Sequence, residues 1–149
     1  MTGLTPCKID DIADFLIRHH ASHTSPGRAI HCWCIKDPDL KLAVACAPHK
    51  DRPKWVEVIA GVILPGYAYT QSRLLSQTIG QLRALRFYDL AYSWDGEDYG
   101  PGRMFKAAGW YFAGTYSRTP FAPADRGGYV YWWPLRRECR TMLERLPHP

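Results

Sequence analysis

Three acidic residues stand close together in the second half of the chain, in a glycine-rich segment that contains Asp95, Glu97 and Asp98. The segment follows a short apolar stretch that is predicted to be a strand, and ligand sites of α/β sheets concentrate where strands end. A carboxylate placed there can take a proton from a weakly nucleophilic amine, such as the exocyclic amine of a nucleobase. A solvated turn rich in Asp and Gly is the alternative interpretation.

Arg73 is the second residue whose position suggests chemistry. It stands near the start of a predicted helix, where the helix dipole slightly disfavours a cation. A guanidinium in that place can hold a phosphate or a carboxylate through two parallel hydrogen bonds. A surface arginine in a salt bridge with Asp95 is the alternative, and the sequence leaves both interpretations open.

Aromatic and basic residues accompany the acidic segment. The aromatic residues nearest to it are Trp94, Tyr99, Trp110, Tyr111 and Tyr116. Such rings can stack on a base turned out of a duplex, although Trp110 and Phe112 are predicted to pack in the core. The basic residues of the same half are Arg103, Lys106, Arg118, Arg126, Arg136, Arg137 and Arg140. They can follow a phosphate backbone, with a charged solvent-facing surface as the alternative.

Thiol and imidazole side chains in the first half raise the question of a metal site. They belong to His31, Cys32, Cys34, Cys46 and His49. The two-residue gap that is usual between paired zinc-binding cysteines is missing, and small buried cysteines are common in strands. We therefore predict no metal site.

The composition sets the class of protein that must position these residues. The chain has 149 residues, which predicts a single domain spanning 1–149. Hydrophobic residues make up 46% of it, enough for a packed core, and no apolar run approaches the ~20 residues that span a bilayer. Five cysteines and no visible secretory signal predict a cytoplasmic protein with reduced thiols. The net charge of +5 favours a polyanionic partner, most commonly nucleic acid.

Hydrophobic periodicity and turn residues predict four helices and six strands. In chain order these are a helix from Asp10 to Ala21, strands His31 to Lys36, Lys41 to Ala47 and Trp55 to Leu64, a helix from Thr70 to Arg86, a strand from Tyr88 to Ser93, a short helix from Arg103 to Ala108, strands Trp110 to Tyr116 and Tyr129 to Trp133, and a closing helix marked by Leu135 to Leu146. This order predicts an α/β (α+β) fold with a mixed central sheet flanked by helices. We expect Trp55 to Leu64 to be central, with Tyr88 to Ser93 parallel beside it.

Three short segments carry a resemblance to a known family. They are Ser72-Arg73-Leu74, Ser93-Trp94-Asp95, and Gly102-Arg103-Met104-Phe105-Lys106-Ala107-Ala108-Gly109-Trp110, which Gly114-Thr115 follows. Together they resemble the GNAT-type acyltransferase superfamily, and within it most closely the Mom-like DNA-modification proteins of phages. The similarity covers about Gln71 to Thr115, and the N-terminal part matches in element order. The resemblance implies a GNAT-like fold.

The resemblance also implies roles for individual residues. Asp95 would orient or deprotonate the acceptor amine, and Arg73 would clamp an anion or the substrate. The helix tyrosine of the family falls at Phe105, so Tyr99 in the adjoining loop is the candidate for the missing hydroxyl. The residues implied in DNA binding are Trp94, Arg103, Lys106, Arg118 and Arg126.

The implied donor is acetyl-coenzyme A or another acyl donor. The usual pyrophosphate loop of the superfamily is absent, and Pro65 to Gln71 occupies its place. The free backbone N–H groups at the helix start can still bind phosphate, which makes Thr70, Gln71 and Ser72 the candidate donor-binding residues.

The function that the resemblance implies is modification of an adenine-like nucleobase amine in DNA, by a phage-type enzyme in the host cytoplasm. Two alternatives remain open. One is an N-acyltransferase acting on a small amine or a protein lysine. The other is a catalytically inactive GNAT-like protein that binds or inhibits a component of host defence.

Overall fold

Seven strands form one sheet in the computed structural model, which describes residues 3–20, 27–96, 105, 107–115 and 128–144. At 94–96, 112–115, 128–129 and 141–144 it describes the backbone alone. The strands are β1 (Thr5–Cys7), β2 (His31–Lys36), β3 (Leu40–Pro48), β4 (Trp55–Ile63), β5 (Leu90–Gly96), β6 (Tyr111–Thr115) and β7 (Gly128–Pro134). The helices are α1 (Ile9–His19), α2 (Gln71–Ala84) and α3 (Arg137–Glu144). Across the sheet the order is β1-β2-β3-β4-β5-β7-β6.

The mixed sheet confirms the predicted fold class. β4 is the fourth of the seven strands, and it pairs in parallel with β5. The other neighbouring strands pair antiparallel. Helix α2 lies between β4 and β5 in the chain, as a parallel connection requires.

Two strands differ from the sequence prediction by more than one residue at an end. β1 was not predicted, because three residues that include Pro6 are too short to show a period. β5 begins at Leu90 and runs to Gly96, whereas the prediction placed it from Tyr88 to Ser93. Its pairing with β7 continues as far as Gly96 opposite Gly128. The strand therefore includes Asp95, the first acidic residue of the glycine-rich segment.

The two faces of the sheet bury separate cores. On one face, Ile12 and Leu16 of α1 pack with Ala43 and Ala45 of β3. On the other face, Leu74 and its neighbours in α2 pack with the β3 side chain of Val44. Because Ala43, Val44 and Ala45 are consecutive in a strand, their side chains alternate between the faces. Helices α1 and α2 therefore cover opposite sides of the sheet.

A tight turn connects β4 to α2. The N–H of Tyr67 donates to the carbonyl oxygen of Leu64 at 3.1 Å, which closes a turn with Pro65 and Gly66 in its centre. Gly66 has φ +90°, a value that a residue with a side chain rarely adopts. Helix α2 then begins after Thr70, whose side-chain oxygen accepts a hydrogen bond from the N–H of Arg73 at 3.2 Å.

No helix within the described part of the chain is long and apolar enough to cross a bilayer.

Candidate functional site

A gap opens in the middle of the sheet, between β4 and β5. The two strands are joined by three residue pairs, of which Glu57 opposite Tyr92 is the last. Beyond it β4 continues to Ile63 and β5 to Gly96, without a further pair between their described residues. Parallel strands in the interior of a sheet normally pair along their whole length, so this separation is the feature that sets the site apart.

A bulge in β4 lies where the gap opens. Ala60 pairs with Ala45 of β3, but Val58 pairs with the next residue, Cys46, so Ile59 is an extra residue in β4. A bulge of this kind bends its strand and increases the local twist. The bulge therefore lies just beyond the last residue pair between β4 and β5.

A single hydrogen bond spans the start of the gap. The hydroxyl of Ser93 in β5 donates to the carbonyl oxygen of Val58 in β4, at 2.8 Å. Both residues are buried, so this bond satisfies a carbonyl that would otherwise lack a strand partner.

A cleft of about 60 Å³ occupies the gap. Its walls are His20, Val44, Val58, Ile59, Ala60, Gly61, Gln71, Leu74, Leu75, Ser93 and Phe105. Leu74 belongs to α2 on one face of the sheet, whereas His20 directly follows α1 on the other. The cleft therefore passes through the sheet and is lined from both faces.

The N-terminus of α2 lies at the cleft. Gln71, the first residue of the helix, contributes to the wall. The first turn of α2 contains no acidic residue. The free N–H groups and the dipole of a helix start attract an anion, and no carboxylate in this turn opposes that attraction.

Arg73 is held beside the same helix start. Its guanidinium carbon lies 4.3 Å from the centre of the Tyr69 ring, which is a cation–π contact. The Tyr69 hydroxyl donates a hydrogen bond to the side-chain oxygen of Gln77, which lies about one turn beyond Arg73 in α2. Burial raises the pKa of this phenol. The ring is thus fixed at both ends, and it orients an exposed cation next to the first turn of α2.

A buried carboxylate lies at the point where the gap begins. Glu57 forms an ion pair with Arg28, and its Oε1 atom is 3.5 Å from the hydroxyl of Tyr92 on the opposite strand. Burial and the nearby Glu57 charge raise the pKa of Tyr92, so its hydroxyl stays protonated and can donate. The carboxylate is on the face covered by α1, because Val56 and Val58 on either side of it belong to the core under α2.

Further aromatic rings contact Tyr92, the hydrogen-bond partner of this carboxylate. Tyr92 is in edge contact with His49 at 5.8 Å between ring centres, and it contacts Trp132 at the same distance. Trp132 in turn contacts Trp55 edge-on at 5.1 Å. Burial lowers the pKa of His49, which favours the neutral imidazole. We call Arg28, His49, Trp55, Glu57, Tyr92 and Trp132 the fork cluster.

The residues predicted at the helix start lie at the cleft or beside it, since Gln71 lines it and Thr70, Ser72 and Arg73 adjoin Gln71. Asp95 and Trp94 are within β5, where their backbone pairs with Tyr129 and Val130. The remaining predicted site residues, Tyr99, Arg103, Lys106, Arg118 and Arg126, lie outside the described residues. Convergence of Arg73 and Asp95 on one substrate therefore stays a prediction.

Phe105 lies in the cleft wall, at the position where the sequence comparison placed the family's tyrosine. Its ring stacks on that of Tyr131 at 4.7 Å and contacts Trp110 edge-on at 5.2 Å. Trp110 is buried in the same core, as predicted.

Sequence reasoning missed Glu57 and His20. The signal for Glu57 was present, since it is the charged residue within the apolar run of β4. A charge in a buried strand needs a partner, and such residues are often functional. His20 had no comparable signal, because its place in the cleft depends on how α1 packs on the sheet.

The cysteines of β2 and β3 are divided between the two faces of the sheet. Cys32 and Cys34 belong to the core under α1, whereas Cys46 belongs to the core under α2. All five cysteines are free thiols. The described residues include no group of three or more side chains arranged to hold a metal ion.

Comparison with solved structures identifies the fold. A GNAT-family acetyltransferase from Streptococcus pneumoniae superimposes with a TM-score of 0.62 at 10% identity, over 89% of this chain and 98% of that one. An acetyltransferase from Bacillus subtilis in complex with coenzyme A gives 0.62 at 13% identity, over 90% and 97%. An aminoglycoside acetyltransferase in complex with coenzyme A and kanamycin gives 0.64 at 10% identity, over 95% and 98%.

These similarities show that the chain has the GNAT acetyltransferase fold, as the sequence resemblance implied. No protein-family model and no curated protein sequence matches the chain. The finer resemblance, to Mom-like DNA-modification proteins, is not shown by these structures and stays a prediction.

Proposed function

We propose that this protein is an N-acyltransferase that uses an acyl-coenzyme A donor bound between β4 and β5. The observation that carries the proposal is the gap, which begins after the pair Glu57–Tyr92 and holds a cleft passing through the sheet. Such a cleft lets a thioester enter from one face while an amine approaches from the other. The two reactants then meet inside the sheet, where orientation accelerates the transfer.

The walls of the cleft suit an acyl-coenzyme A. Beyond Glu57 the backbone of β4 is not paired with β5 among the described residues, so it can hydrogen-bond to an extended arm that contains amides. Apolar side chains such as Leu74, Leu75 and Phe105 line the space around that arm. Acetyltransferases of the same fold have been solved with coenzyme A, which supports this class of donor.

The start of α2 is the proposed site of the donor's pyrophosphate. Thr70, Gln71 and Ser72 supply the helix N-terminus, and Arg73 supplies a cation beside it. The usual glycine-containing loop is absent, and a capped helix start with an adjacent guanidinium is the proposed substitute.

Two carboxylates are proposed for proton transfer from the amine. Glu57 is at the beginning of the gap, on the face opposite α2. Asp95, the residue favoured by the sequence resemblance, is further along β5. An amine must lose a proton to become a nucleophile, so a carboxylate within hydrogen-bond reach accelerates transfer.

A nucleobase amine of DNA is one acceptor that this proposal covers. The net charge of +5 and the sequence resemblance support it, with the basic residues Arg103, Lys106, Arg118 and Arg126 as the proposed contacts. An amine of a small molecule is the other acceptor. It is supported by the shared fold of the aminoglycoside acetyltransferase that was solved with kanamycin.

Calorimetric titration of the full chain with acetyl-coenzyme A tests the donor, and release of free thiol in the presence of candidate amines tests the transfer. Saturable binding of one acetyl-coenzyme A per chain is the expected result. An absence of binding at millimolar donor, with the protein folded, would reject the proposal and favour the inactive binding protein.

A further inference from the structure

We propose that Arg28 and Glu57 bind the acceptor, and that the acceptor is a small zwitterion: an amine that carries a carboxylate next to it, as a free α-amino acid does. The inference rests on the proposed N-acyl transfer and adds the substrate class. It stands on the geometry of the fork cluster.

The two members of the ion pair differ sharply in exposure. The side chain of Arg28 is 55% exposed, whereas that of Glu57 is 11% exposed. The carboxylate thus forms the floor of the cluster and the guanidinium forms its rim. A guanidinium carries five N–H donors, and the described residues provide Arg28 with one ion-pair partner, Glu57. The exposed part of the guanidinium can meet an anion that arrives from solvent.

The position of Glu57 connects this pair to the cleft. Glu57 and Tyr92 form the last pair before the strands separate, and the next residues, Val58 and Ser93, are both in the cleft wall. An ammonium group held by Glu57 would stand where the cleft opens on the face of α1. That is the face opposite the start of α2, where the donor is proposed to bind.

The direct contact between Arg28 and Glu57 restricts the charges of the ligand. A ligand that pairs its ammonium with Glu57 and its carboxylate with Arg28 must carry the two charges close together. An α-amino acid meets this requirement, whereas a lysine side chain or a nucleobase amine has no adjacent carboxylate.

The same arrangement explains how Glu57 becomes free of its ion pair with Arg28 and can act as a base. In the free protein Arg28 neutralises Glu57, and the incoming carboxylate competes for the guanidinium. Glu57 then takes one proton from the ammonium group. The nitrogen lone pair forms a bond with the acyl carbon and the carbon–sulfur bond breaks. The sulfur leaves as a free thiol with the second proton of the nitrogen, so the products are an N-acyl amino acid and coenzyme A.

Thiol release from acetyl-coenzyme A tests the proposal with matched pairs of amines, phenylalanine against phenethylamine and tyrosine against tyramine. We expect kcat/KM to be at least about tenfold higher for the member that carries the carboxylate, because its charge-assisted bonds to Arg28 are lost in the other. Arg28→Gln should raise KM for phenylalanine about tenfold or more and bring the ratio of kcat/KM for phenylalanine to that for phenethylamine close to one. For Arg28→Lys, the KM for phenylalanine should lie between the values of the wild-type chain and of Arg28→Gln.

Removing Arg28 takes the ion-pair partner away from the buried Glu57 carboxylate, so the free energy of unfolding of each variant is measured separately. The double variant Arg28→Gln with Glu57→Gln keeps the cluster neutral and serves as the folding control. Binding of phenylalanine to the wild-type chain, observed by saturation-transfer NMR without any donor, gives a readout that does not need turnover.

Equal activity on both members of each pair, or acylation of nucleic acid alone, overturns the zwitterion proposal and leaves the N-acyltransferase proposal standing. Phenylalanine binding that survives in Arg28→Gln also overturns it. A chain that binds phenylalanine through Arg28 but does not bind acetyl-coenzyme A would reject the proposed function and retain the ligand site.

Discussion

The hydroxyl of Ser93 donates a 2.8 Å hydrogen bond to the carbonyl oxygen of Val58, at the place where β4 and β5 cease to pair. A side chain here takes over the task of a backbone N–H. The bond ties the two strands together at the base of the gap, and the bulge at Ile59 lies directly beyond Val58. One hydroxyl and one extra residue thus mark the base of the gap.

Replacing Ser93 with Ala should weaken both the fold and the cleft. The Val58 carbonyl would remain buried without its donor, which costs about 1–3 kcal/mol. We expect urea unfolding to show that loss and acetyl-coenzyme A affinity to fall. Ser76→Ala, on the exposed surface of α2, is the matched control and should change stability by less than about 0.5 kcal/mol. Equal behaviour of the two variants would show that the bond is unimportant.

A negative charge at the start of α2 should separate donor binding from stability. Asp in place of Ser72 interacts favourably with the helix dipole, so the free energy of unfolding should stay the same or rise by about 0.3–1 kcal/mol. The same charge repels a pyrophosphate, and we expect acetyl-coenzyme A affinity to fall about tenfold or more. Ser76→Asp makes the identical change one turn later. If calorimetry finds the same donor affinity in both variants, the pyrophosphate does not bind at this helix start.

The parts of the fold that were predictable have strong local signals. β4 has a run of β-branched residues that ends at Pro65-Gly66, and the apolar residues of α2 repeat at helical spacing. The gap between β4 and β5 had no such signal. It depends on the register of β3 against β4, which places Ile59 in a bulge, and register is set by contacts across the sheet.

The candidate site also has one part that was predictable from the sequence and one part that was not. The helix start from Thr70 to Arg73 was predicted because capping residues and cations follow rules that are local in sequence. The fork cluster was not predicted, since Arg28 and Glu57 are 29 residues apart and meet only when the sheet has formed. The charge of Glu57 in an apolar strand was visible, but its partner was not.

Two histidines should make the stability of the fold depend on pH. Burial lowers the pKa of His31 and of His49 below the usual value near 6.5. The unfolded chain then binds more protons than the folded chain as the pH falls below about 6.5, so stability is full above that pH and declines below it. Denaturant titrations at pH 7.5 and 5.5 should show the decline. The double variant His31→Gln with His49→Gln should reduce it, and an unchanged pH slope in that variant would contradict the assignment.

Binding to DNA, if it occurs, should weaken steeply with salt. Each phosphate neutralised by a basic side chain contributes about −0.9 to the slope of log K against log salt on duplex DNA. Charge reversal at Arg118 and Arg126, which lie outside the described residues, should flatten that slope. Fluorescence anisotropy with a labelled duplex measures it. A salt-insensitive interaction, or none in dilute buffer, would remove nucleic acid from the candidate partners.

The choice of proton acceptor is tested by two substitutions that preserve shape and remove charge. Glu57→Gln can still accept hydrogen bonds from Arg28 and Tyr92 but cannot take a proton at neutral pH. We expect kcat to fall about 100-fold or more, within the range for loss of a general base, while KM for acetyl-coenzyme A changes less than about twofold. Steady-state kinetics at saturating acceptor provide both values.

Asp95→Asn is the parallel test of the residue that the sequence favoured. Its backbone lies in β5 beyond Ser93, so the substitution should leave the fold and the donor affinity nearly unchanged. Geometry decides the outcome, because a base acts only within hydrogen-bond reach of the proton it takes. A large loss of kcat in Glu57→Gln with a small loss in Asp95→Asn would identify Glu57 as the residue that accepts the proton. The reverse result would move the base to the end of β5, and Glu57 would then serve to hold Arg28 in place.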